Sequence, residues 1–228
     1  MYESFSYYQG SRPEVAAFLP ENYSKVLEIG CGTGNFYNNL NPCEYWGVEP
    51  FRSAAHVALQ NLYKVLMGTF QEVYDQLPDN YFDLVICNDV IEHMVDHEAF
   101  FQTIKKKMKL NSYIIGSIPN IRFIHNLIKL LVMKDWKYVE MGILDKTHLR
   151  FFTEKSLKRT IIENGFIIEE FYGLNKIKIK PYSLIDITKK MLIYIIGRDS
   201  GFMRFGFRIR YTTFPNNVLP RLLPAISR

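Results

Sequence analysis

The sequence predicts an α/β fold: a three-layer αβα sandwich on a mostly parallel sheet. Three observations predict it. Short β-rich apolar runs alternate with helical patterns over the first 170 residues. The first run ends in a glycine cluster that opens the next segment. The 228 residues are 48% apolar and 22% charged, the balance of a globular chain with a large core. That balance excludes a disordered polymer, a collagen and a disulfide-stapled miniprotein.

The elements follow in order. KVLEIG (25–30), YWGVEP (45–50), FDLVICND (82–89) and YIIGSIPN (113–120) read as strands, and FIIEEFYG (166–173) as a late one. Helical patterns cover about 51–61, 97–109 and 154–164, the last capped by Thr153. Such βαβ units cross over right-handedly and place helices on both faces. A ligand then sits beyond the carboxyl ends of the strands. Residues 30–36, 49–51, 68–70, 88–93 and 119–122 should therefore line one crevice. The segment 121–150 interrupts the alternation and reads as a lid or substrate wall.

Charge divides the chain unevenly. Residues 1–175 carry 17 basic and 21 acidic side chains; residues 176–228 carry 11 and 2. The second part reads as a basic extension, its partner an anionic surface or the acidic body. Within it, 202–211 interleaves aromatic and basic residues. That suits a nucleic-acid strand, a membrane surface or one strand with aromatics inward. The alternation Phe205, Phe207, Ile209, Tyr211 favours the strand. Three cysteines, no signal-peptide pattern and no long apolar run point to a reducing, cytoplasmic setting. The basic extension allows peripheral contact at the inner membrane surface.

The sharpest motif is VLEIGCGTG, with Glu28, Gly30, Gly32 and Gly34. Its glycines allow positive φ and close approach of a ligand, which the loop amides and the following helix start then face. The G-x-G-x-G spacing departs from the dinucleotide pattern, which disfavours a nicotinamide oxidoreductase. No Gly-Lys-Ser/Thr follows, so a P-loop is excluded. Glu28 would repel a pyrophosphate and suits a cationic or hydrogen-bond-donating ligand.

With this loop the chain resembles the class I S-adenosylmethionine-dependent methyltransferases over roughly residues 5–175. The resemblance implies a Rossmann-like sandwich with a seven-stranded sheet, its last strand antiparallel. It implies a methyltransferase domain at 1–175 and an enzyme using S-adenosylmethionine. Glu49, 15 residues after Gly34 and followed by Pro50, then takes the ribose hydroxyls. Thr69 stands where the family commonly has an acid near adenine, with the Phe70 amide beside it. Asn88 and Val90 meet the methionine part. Tyr7, Tyr8 and Arg12 lie in the opening segment and could close over the cofactor.

Two histidines fall near the crevice. His93 ends Asp89-Val90-Ile91-Glu92-His93, and His148 follows 55 residues later in DKTHLRFFT. Either can serve as a general base for a hydroxyl. Asp89, Glu92, His93 and His148 together also resemble the divalent-metal set of ubiquinone-pathway O-methyltransferases and of small-RNA 2′-O-methyltransferases. His56 and His97 read as surface residues, His125 as packing.

No N-P-P-Y run follows the fourth strand, which speaks against base N-methylation. The expected function is O-methylation of a small molecule or glycan precursor. Two alternatives remain at this point: a metal-assisted RNA 2′-O-methyltransferase, and a non-catalytic cofactor-binding partner subunit.

Overall fold

A computed structural model describes residues 10–179 and 184–212, and for 184 and 185 the backbone alone. Tyr7, Tyr8 and the proline-broken stretch 216–228 lie outside these residues. The elements are α1 (Pro13–Ala16), β1 (Lys25–Ile29), β2 (Glu44–Glu49), α2 (Arg52–Ala58), β3 (Lys64–Met67) and α3 (Phe70–Val73). They continue with β4 (Phe82–Asn88), α4 (His97–Lys107), β5 (Met108–Pro119), α5 (Ile124–Leu131) and α6 (Glu154–Glu163). The last are β6 (Phe166–Lys176), α7 (Leu184–Ile196) and β7 (Phe202–Tyr211).

One seven-stranded sheet has the order β3-β2-β1-β4-β5-β7-β6. The first five strands are parallel, and β7 runs antiparallel to both β5 and β6. The alternation of a strand sorts residues between two cores, one on each face. Along β1, Val26 joins one core, and Leu27 and Ile29 the other. The expected three-layer fold with an antiparallel last strand is the observed one.

β3 does not stand out as an apolar run in the sequence. It has four residues with two buried, too short for a period to register. The Thr153 cap is present as a reciprocal box with Ser156.

The expected boundary at 175/176 does not divide the molecule. β7 fills the slot between β5 and β6 and closes the main sheet. Phe205, Phe207 and Ile209 are buried in the core. The arginines between them pair with the acidic body: Arg208 with Glu169 and Glu170, Arg210 with Glu169. Burial of the aromatics takes away the stacking surface that a nucleic-acid strand would need. High charge had set this segment apart in the sequence; strand alternation is what placed it.

Candidate active site

Successive parallel strands bring their carboxyl ends to one edge of the sheet, and a cavity of about 1050 Å³ opens there. Its wall includes Glu28 in β1 with Gly30 and Gly32 after it, Glu49 at the end of β2 with Pro50 after it, and Thr69 and Phe70 after β3. Asn88 ends β4, Asp89, Val90 and His93 follow it, and the segment 121–150 adds Met141, Asp145 and Thr147. Gly10 and Arg12 close it from the N-terminal side.

Gly30 has φ +70°, and a Cβ there would meet Val90 Cγ2 at 2.6 Å. The loop therefore runs against the residue that follows β4. Gly34 does a different job. It lies outside the cavity lining, and a Cβ there would meet Leu62 Cδ1 at 2.5 Å. It lets the loop pack on the segment after α2 rather than approach a ligand.

Glu49 is held by the main chain. Gly32 N–H donates to its Oε2 and Phe51 N–H to its Oε1, both at 2.8 Å. The carboxylate is thus fixed at the strand end, beside the glycine loop. Glu28 lies deeper. Tyr45 Oη donates to its Oε2, and Asn88 Nδ2 to its Oε1 at 3.3 Å. Burial pushes Glu28 up to about 8, against those two bonds, which favour the charged form. Asn88 Oδ1 is buried with no partner among the described residues.

Thr69, expected near adenine, has its hydroxyl engaged with Glu72, to whose Oε2 it donates at 2.9 Å. It caps α3: its Oγ1 accepts from Glu72 N–H at 3.4 Å, and its own N–H donates to Glu72 Oε2 at 2.7 Å. Phe70 remains on the cavity wall, its ring packed on Phe100 at 5.1 Å.

The histidine end is assembled by two segments. Leu149 and Arg150 N–H both donate to the Glu92 carbonyl oxygen, at 2.8 and 3.0 Å. This seats DKTHLR on the turn Ile91–His93 that follows β4. His93 and His148 rings then meet edge to face, 4.7 Å apart. His93 lines the cavity, and His148 stands behind it. His93 Nδ1 faces the Thr147 carbonyl oxygen at 3.2 Å, and His148 Nδ1 that of Ile143 at 3.0 Å. Both contacts are satisfied by the Nδ1–H tautomer, an assignment from the hydrogen-bond network, which leaves each Nε2 as an acceptor. Burial, then the neighbouring His148, lowers the His93 pKa.

Glu92, His93 and His148 offer ligand atoms within 4.8 Å of one another. Both Glu92 carboxyl oxygens are buried without a hydrogen-bond partner among the described residues. Histidines that give Nδ1–H to a main-chain carbonyl match the usual outer support of metal ligands. This trio fits a divalent ion. Asp89 does not join it: its Oδ2 is paired with Arg12 at 2.6 Å and with Arg204 at 2.9 Å, and Ser117 Oγ donates to its Oδ1 at 2.8 Å. Two guanidiniums saturate the carboxylate that the sequence pattern had offered to the metal. Arg204, Tyr45 and Thr147 were not singled out from sequence, because each acts through a residue distant along the chain.

Cysteine chemistry has no place here. Burial raises the thiols of Cys31 and Cys87, which holds both protonated. His56 is exposed as expected, whereas His97 is half-buried against Phe152 and His125 is exposed.

Comparison with known proteins adds to this geometry. The family described as "Methyltransferase domain" matches residues 5–170. The ubiquinone biosynthesis O-methyltransferase of Bradyrhizobium diazoefficiens is 23% identical over 167 residues, 66% of this chain. The chain spans 61% of that relative's length. A solved S-adenosylmethionine-dependent methyltransferase from Archaeoglobus fulgidus has a TM-score of 0.62 at 22% identity, covering 91% of this chain and 94% of its own. One from Mesorhizobium loti gives 0.58 at 14%, covering 91% and 100%. At these identities the structures speak for the fold.

Proposed function

This chain belongs to the methyltransferase domain family, using S-adenosylmethionine, and from that premise we propose that it methylates an oxygen of a small-molecule or sugar-type acceptor. One observation carries the reading: a single cavity is lined by the glycine loop, Glu49 and His93 together.

S-adenosylmethionine supplies an electrophilic methyl group on a sulfonium. The chain's own residues must bind it, orient the acceptor and manage one proton. Glu49, fixed by two main-chain donors, takes the ribose diol; each charge-assisted bond contributes about 1.5–3 kcal/mol. Glu28 and the unpartnered Asn88 Oδ1 form an acceptor pair for the ammonium of the methionine part. Val90 and Phe70 add apolar surface to the same cavity wall. Alignment of the acceptor oxygen contributes about 7–11 kcal/mol.

His93 is the catalytic base in this reading. Its lowered pKa keeps the imidazole neutral, and Nε2 takes the acceptor hydroxyl's proton, worth about 10²–10⁴-fold in rate. His148 positions His93 from behind. The unpartnered Glu92 oxygens favour a second reading of the same end. There Glu92, His93 and His148 hold a divalent ion, which would lower the acceptor hydroxyl's pKa without a strong base. The buried aromatics of β7 weigh against an RNA acceptor, and the filled cofactor-site pattern weighs against a non-catalytic subunit.

The test is transfer of labelled methyl from S-adenosylmethionine to a panel of phenols, catechols and sugars. Methyl ethers are expected, with turnover lost in Glu49→Ala and reduced about 10²-fold or more in His93→Ala. Products methylated only on nitrogen, or no binding of S-adenosylhomocysteine, would overturn the proposal.

A further inference from the structure

The cavity is flanked by a face that the enzyme's chemistry does not use. Residues 129–142 are exposed without a break. Leu131, Val132 and Met133 are 68%, 71% and 65% exposed, and Trp136 and Met141 continue the apolar surface. A chain that folds on water does not leave such a run bare by default. α7 repeats the pattern. Four of its exposed apolar residues, Ile187, Met191, Tyr194 and Ile195, have the i, i+4, i+7, i+8 spacing of one helical stripe, and Leu192 is exposed beside them.

The two segments are held together. α5 packs on α7, and Arg122, at the start of the lid, anchors the turn after α7. Its Nε lies 2.6 Å from Asp199 Oδ2, and its Nη2 donates to the Ile196 carbonyl at 2.8 Å. The face thus belongs to the folded body and ends at the cavity, where Glu140 and Met141 join the lining.

Charge decides what covers it. Residues 124–141 and 184–198 contain six Lys or Arg against three Asp or Glu. Two of those acids are already paired, Glu140 with Lys146 and Asp186 with Lys189. The exposed lysines at 129, 134, 137 and 190 stand among apolar residues. A protein interface is depleted of lysine at its core. A second copy of the same face would oppose like charges. Apolar residues with interspersed lysine, plus Trp and Tyr as interfacial anchors, match an anionic bilayer. No helix among the described residues is long and apolar enough to cross a membrane.

We propose that α5, the exposed segment after it and α7 form a docking surface for an anionic lipid bilayer, with the cavity mouth beside the lipid headgroups. The surface stands on its own geometry and does not depend on which atom is methylated.

The test is sedimentation of the full chain with phosphatidylcholine vesicles, with and without phosphatidylglycerol. Binding is expected to need phosphatidylglycerol, to fall with salt, and to drop about fivefold for each of Lys134→Ser, Lys137→Ser and Lys190→Ser. L131D and M191D, at exposed sites, should stay in the supernatant while S-adenosylhomocysteine still raises their Tm. Failure of the unaltered chain to sediment, or sedimentation unchanged by these substitutions, would overturn the proposal. A concentration-dependent dimer dissolved by L131D would assign the face to a second copy instead.

Discussion

Arg204 Nε lies 2.9 Å from Asp89 Oδ2, joining the strand β7 to the loop that lines the cavity. Arg12 reaches the same oxygen from the N-terminal side. Asp89 has φ +51°, so its loop is held in a backbone conformation that needs outside support. The last strand among the described residues thereby supports the site.

Arg204→Met should therefore act at the cavity. Arg12 remains, and Arg204 is partly exposed, so the cost falls below that of a fully buried pair: about 1–3 kcal/mol. That is about 2–12 °C in Tm. S-adenosylhomocysteine affinity should fall in calorimetry as the loop moves. A double-mutant cycle with Arg12→Met should show coupling; additive effects would mean that the two arginines do not share Asp89.

Gly30→Ala tests the loop itself. Any side chain at φ +70° is strained, and this Cβ would stand 2.6 Å from Val90. The loss should be about 1–3 kcal/mol, with cofactor-product binding lost as well. Gly34→Ala should also destabilise, through Leu62, but at a place outside the cavity. Equal losses of binding in the two variants, once corrected for stability, would contradict this separation.

Glu28 makes stability depend on pH. Its pKa is raised to about 8 in the folded chain and lies in the ordinary carboxylate range when unfolded. The folded state thus binds the proton more tightly, so this stabilisation is complete in acid and is lost as pH rises to about 8. The shift corresponds to at most about 5 kcal/mol. Glu28→Gln should flatten the decline in Tm between about pH 5 and about pH 9. In calorimetry, an ammonium-bearing ligand should release a proton from Glu28 near neutral pH, and the release should vanish in the same variant.

The metal reading has its own readout. Zn²⁺ or Mn²⁺ at about 100 times its dissociation constant should stabilise by about 2.7 kcal/mol, roughly 5–11 °C. Glu92→Gln and His148→Ala should each abolish the shift without touching Glu49 or the glycine loop. A shift that survives both, or none in the unaltered protein with EDTA as reference, would assign His93 to proton transfer alone.

The sequence by itself determined the sheet class, the glycine loop, Glu49 and the positions of His93 and His148. The sheet class and the loop depend on local order, a strand period and a turn that requires glycine; Glu49 and the histidines were marked by the resemblance to a methyltransferase family. It also carried the alternation of 205–211, a local signal of a strand. Only the tertiary structure decided where that strand pairs, because β7 enters between β5 and β6, and pairing across a sheet leaves no mark on spacing. For the same reason it alone decided the fate of Asp89. In the chain, Asp89 stands three residues from Glu92 and looks like part of its ligand set. In the fold, Arg204 arrives from 115 residues away and neutralises it, leaving Glu92, His93 and His148 as the trio. Charges far apart in sequence act at contact distance once the backbone is folded, and that is where this site acquired its electrostatics.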